Sequence, residues 1–162
     1  MNIEIAFIKN AEQGKVAKLV DERLNGSLRD AQLCGQIDLP DSYDTILRNE
    51  TKRKVAISPS KNGWIAIIES KEVNDYAMLL QLSKEFQTEV LAVIQSDITG
   101  AWGYVEMFEG SVVKSYFSEE DDRIEDLLNE KMSEKEICMP LYIFREVVRE
   151  KESGWSVVRL CS

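Results

Sequence analysis

The sequence predicts an α+β domain on a mainly antiparallel sheet, with its helices packed to one side. Three observations point there. Two apolar runs, Val55–Ser58 and Trp64–Glu69, flank Asn62-Gly63, and Asn-Gly in that setting marks a hairpin because both residues accept positive φ. Trp102–Glu109 alternates, with Trp102, Tyr104, Glu106 and Phe108 on one face and Gly103, Val105 and Met107 on the other. Ser111–Phe117 then returns after the Glu109-Gly110 turn, so a meander follows the hairpin.

Taken in order, Ile3–Ile8 is short and rich in β-branched residues and reads as a strand. Asn10 and Gln13 have capping-box spacing, and Val16, Leu19, Val20 and Leu24 give a helix over 11–25 that Gly26 ends. Residues 27–54, punctuated by Gly35, Pro40 and Asp41-Ser42, read as a long loop with one helical turn near 43–49. The Pro59–Gly63 connection is longer than two residues, which leaves its turn type open. Asn74 reads as the cap of a helix carrying Tyr76, Leu79, Leu80 and Phe86. Val90–Ile94 is a continuous apolar strand, as burial on both faces requires.

Ser118–Asp121 and Ser133–Glu136 both have capping-box form, and Ile124, Leu127, Leu128 and Met132 share a helical face. Pro140 breaks that helix and suits the first position of another, with Leu141, Phe144 and Val148 on one side. The Tyr, Ile, Phe and Val content of 141–149 also allows a strand. Trp155–Cys161 closes the chain as a strand, and residues 1–162 form one domain without repeat or linker.

A net charge of −9 with a pI near 4.7 argues against binding nucleic acid or an anionic membrane. The chain has no histidine, which excludes Ser–His–Asp and Cys–His nucleophile schemes and histidine-containing zinc sites within it. Cys34, Cys138 and Cys161 are odd in number and form no CxxC, so the expected compartment is the reducing cytoplasm. No apolar run exceeds five residues, no Gly-rich phosphate loop or other catalytic signature is present, and no cofactor is expected.

Two constellations stand out. Glu119, Glu120, Asp121 and Asp122 could take a divalent cation through oxygen ligands, but they lack the spacing of an EF-hand loop, and acidic residues suit a helix's first turn. Between Glu119 and Glu152 twelve acidic residues face six basic ones, so this region suits a basic protein partner, with Glu119–Asp122 as the expected contact. The alternative is a ligand site or carboxylate-based enzyme using Asp97, Trp102, Tyr104 and Glu106. Asp97 follows an apolar strand, and Glu106 would need a raised pKa to act as a base. Ordinary turn chemistry explains Asp97, and a solvent-side position on an amphipathic strand explains Glu106. The expected function is therefore a non-enzymatic interaction protein, immunity-like or regulatory.

Ser58-Pro59-Ser60-Lys61-Asn62-Gly63-Trp64, the strand ending Ser96-Asp97, and Tyr104-Val105-Glu106-Met107-Phe108-Glu109-Gly110 together resemble a family of uncharacterised bacterial proteins. Those proteins share a Ser-Pro-x-x-Asn-Gly-Trp hairpin and an aromatic-rich meander. The likeness covers roughly residues 55–118 and implies an antiparallel α+β domain of bacterial origin. It brings no activity and no site residue.

Overall fold

The computed structural model describes residues 2–25, 53–70, 73–96, 101–118, 124–149 and 154–159. Its strands are β1 (Asn2–Lys9), β2 (Lys54–Ile57), β3 (Trp64–Glu69), β4 (Glu89–Ser96), β5 (Ala101–Phe108), β6 (Ser111–Ser118) and β7 (Ser156–Arg159). Its helices are α1 (Gln13–Asn25), α2 (Tyr76–Glu85), α3 (Ile124–Glu134) and α4 (Phe144–Arg149). The strands join one sheet in the order β6-β5-β4-β1-β3-β2-β7, and every pairing is antiparallel. The class is α+β, with β1 central, the hairpin on one side of it and the meander on the other.

The helices cover both faces of the sheet, not one. On the first face Ala6, Ile8, Ile65, Ile67, Val90 and Ala92 pack with Val16 and Val20 of α1 and Met78, Leu79 and Leu82 of α2. On the second, Ile5, Phe7, Trp64, Ala66, Leu91 and Val93 pack with Leu128 and Met132 of α3, Ile137 and Met139 after it, and Phe144 and Val147 of α4. The cause lies in the strands. β1, β3 and β4 are apolar at successive positions, so each alternating set needs its own cover.

Two described turns of the sheet rest on left-handed residues. Lys61 and Trp64 exchange backbone hydrogen bonds of 2.9 and 3.0 Å across Asn62 (φ 53°) and Gly63 (φ 82°). A two-residue turn therefore closes the hairpin inside the longer connection. Glu109 (φ 48°) and Gly110 (φ 86°) connect β5 to β6 in the same conformation.

Local expectations needed correction at the helix starts. α1 begins at Gln13, because Asn10 adopts φ 52° and donates its N–H to Gly63 O at 2.8 Å. The Gln13 side chain ties α1 to Ile57 O (3.0 Å) and Gly154 O (2.6 Å). Asp75 caps α2 by accepting from Met78 N at 3.0 Å. Asn74 is buried and donates to Val93 O at 3.4 Å. Residues 141–143 are neither helix nor strand, and a helix starts at Phe144 rather than Pro140. Gly26, the 27–52 part of the long loop and the 119–123 helix start lie outside the described residues.

Candidate functional site

β6 is the sheet edge beyond β5, and Ser111–Phe117 are exposed. Its sequence explains its pairing. Val112, Val113, Tyr116 and Phe117 have high strand propensity, and the Glu109-Gly110 turn delivers them alongside β5. Four apolar side chains nevertheless remain in solvent: Val112, Val113 (66% exposed), Tyr116 (45%) and Phe117 (57%), with Phe108 of β5 beside them. The partners run Trp102↔Ser118, Gly103↔Phe117, Tyr104↔Tyr116, Val105↔Ser115 and Glu106↔Lys114, after which the register shifts between Glu106 and Met107. Regular pairing thus covers Lys114–Ser118. Phe117 lies across Gly103, where any side chain would strike the Tyr116 carbonyl.

Behind this edge, on the second face, Trp102, Tyr104 and Tyr116 form an aromatic cluster. Ring centroids are 6.1 Å apart for Trp102–Tyr104, 5.0 Å for Trp102–Tyr116 and 6.0 Å for the stacked Tyr104–Tyr116 pair. Lys131 Nζ lies 4.3 Å from the Tyr104 ring centroid and Lys114 Nζ 6.0 Å from it, so the cluster already takes cations on its faces. The buried Trp102 indole N–H has no hydrogen-bond partner among the described residues.

Glu106 lies next to this cluster, paired with Lys131 at 2.6 Å and Lys135 at 3.1 Å. Lys135 also pairs with Glu89, and Lys131 with Glu134 at 3.6 Å. Burial pushes the Glu106 carboxyl up, but hydrogen bonds from Lys131 and Lys135 outweigh it and hold the pKa below the usual carboxylate range. Burial likewise opposes the charge on both lysines, yet their carboxylate partners raise their pKa values. The raised pKa that a Glu106 base would need is absent, and the residue anchors α3 to β5. It is also mostly buried rather than on the solvent side of its strand.

The structure thus brings Trp102, Tyr104 and Glu106 together on one face of β5. Asp97, Glu119, Glu120, Asp121 and Asp122 lie outside the described residues. A second charged cluster, absent from the sequence expectations, sits at the start of α2. Arg53 donates Nε to Glu69 at 2.8 Å and Nη2 to both Glu69 and Asp75, the latter at 3.0 Å, and Arg23 lies 3.5 Å from Asp75. Glu69 is buried, so its pairing with Arg53 offsets the cost of a dry charge. Nearby, burial raises the Glu4 pKa despite the hydrogen bond it accepts from Asn74 N.

An open groove runs between α1 and β7 past Gly14, Ala17 and Asp21, and another lies on α3 at Asn129 and Ser133. The void at Ile3, Glu4, Ile68 and Tyr142 measures about 10 Å³, room for one water at most. Among the described residues no helix is long and apolar enough to cross a membrane, and no group of three His, Cys, Asp or Glu could hold a metal.

No family model, curated protein or solved structure matches the chain.

Proposed function

We propose that this protein is a non-enzymatic interaction module, immunity-like or regulatory, and that it binds a basic protein partner along β6. One observation carries the reading. The β6 edge leaves Val112, Val113, Tyr116 and Phe117 exposed along one strand, with Tyr116 on one side of the sheet and Phe117 on the other. Solvated edges are ordinarily short, charged or covered, whereas β6 runs eight residues with Lys114 as its one charge. Its sequence continues directly into Glu119-Glu120-Asp121-Asp122, which favours a basic partner and fast, salt-sensitive association.

The ligand or carboxylate-enzyme reading finds less support. Glu106 is neutralised by two lysines.

The test is capture of partners from host lysate by the wild-type chain, by Val113→Lys/Phe117→Lys, and by Glu106→Gln. The expected result is a stoichiometric basic protein that leaves with high salt, is lost with the double variant, and persists with Glu106→Gln. Equal capture by all three would remove β6 from the function.

A further inference from the structure

Resting on that reading, we infer that the occupant of β6 is an extended basic segment of another protein. It adds to the sheet as an eighth strand along Lys114–Ser118. An edge strand presents alternate N–H and C=O groups without sheet partners, and the irregularity between Glu106 and Met107 confines regular pairing to these five residues. Five residues span about 17 Å. A ladder of that length is by itself far smaller than the roughly 1,000 Å² that a stable interface between two folded copies buries. Each copy would also bring a charge of −9 against the other. A flexible segment needs only the ladder and a few side-chain contacts.

The side chains along the edge define its chemistry. Residues paired across a ladder point to the same face. A residue opposite Tyr116 meets the aromatic cluster, whose Tyr104 already lies near Lys131 and Lys114. A lysine or arginine fits there, over an exposed ring of an acidic protein. Its sequence neighbour opposite Phe117 faces the other side and meets an exposed phenyl ring, so an aliphatic residue fits. The position opposite Lys114 disfavours a second cation. The segment therefore alternates, with a cation next to an aliphatic and no cation two residues away on the Lys114 side.

The experiment selects from a random ten-residue peptide library displayed on phage, against the full chain at low salt. Amide hydrogen exchange then locates the selected peptides, and light scattering gives the oligomeric state. Enriched peptides should carry Lys or Arg beside Val or Ile and slow exchange in Lys114–Ser118. Tyr116→Lys, checked for folding by circular dichroism, should weaken binding at least tenfold while the free chain stays monomeric. Peptides without basic residues, or protecting another element, would overturn strand addition and leave protein binding standing. No enrichment, together with lysate capture unchanged by the β6 variants, would overturn both. A dimer abolished by Tyr116→Lys would make the occupant a second copy, and slow exchange in the free chain at the outward-facing β6 amides, those not bonded to β5, would show that the edge is not open.

Discussion

Replacing Gly103 by alanine separates strand propensity from packing at the proposed binding edge. An alanine Cβ would lie 2.5 Å from the Tyr116 carbonyl oxygen, 3.0 Å from Phe117 Cδ2 and 3.2 Å from Phe117 Cα. Two of these atoms are backbone, so no rotamer relieves them, and β6 must move away from β5. Propensity alone gives the opposite sign, since glycine to alanine in a strand ordinarily gains about 0.5–1 kcal/mol. Overpacking costs about 1–3 kcal/mol, and here it is capped by the free energy of detaching β6. Urea unfolding of Gly103→Ala should therefore show a net loss of about 1–2 kcal/mol. Hydrogen exchange should quicken most in Ser111–Ser118 and least in β1. A variant as stable as wild type, with unchanged exchange in β6, would refute the close approach of Phe117 to the β5 backbone.

Other perturbations test the remaining anchors. Trp64 and Trp102 are both buried, but only Trp64 donates, to Lys135 O at 2.9 Å, so Trp64→Phe should cost about 1–2 kcal/mol more in urea than Trp102→Phe. Asp75→Ala removes a cap and a partner of Arg53 and should lose about 1–2 kcal/mol, whereas Asp75→Asn keeps the cap and should lose less in the same assay. Glu106 has a folded pKa below its ordinary 4.5, so its pairing stabilises the fold fully above that value and fades as pH falls through the folded one. Thermal melts of wild type and Glu106→Gln should differ at pH 7, and the difference should shrink as pH falls below 4.5 and through the folded value. Glu4 has the reverse sign: a raised folded pKa makes its charge unfavourable in the fold at neutral pH. Glu4→Gln should raise Tm at pH 7, and the gain should vanish below its ordinary 4.5.

Much of the sheet was legible because its signals are local. Asn62-Gly63 and Glu109-Gly110 supply left-handed pairs between apolar runs, and the structure closes turns at both. The alternation of β5 placed Trp102 and Tyr104 on one face and Val105 and Met107 on the other, as the two cores show. The single-sided helix layer failed, although its contrary signal was present. Ile3–Ile8, Trp64–Ile68 and Val90–Ile94 carry apolar side chains on both faces, which one layer cannot cover. Asn74 misled as a cap because Asp75 took the role, and Asn10 because the hairpin claimed it. Asn10 is drawn into the hairpin turn by Gly63 O, and Asn74 is buried against β4.

The candidate site divides along the same line. The absence of histidine, the acidic balance, the alternating aromatic strand and the return strand after it are all readable along the chain, since composition and a period of two need no neighbours. Packing alone shows that Ser111–Phe117 is an edge left in solvent, and that Glu106 meets Lys131 of α3 and Lys135 just after it. It also shows that Arg53 meets Glu69 and Asp75. Strand order and long-range ion pairs depend on which segments pack against each other, and residues 16 or more positions apart leave no periodic trace of their meeting.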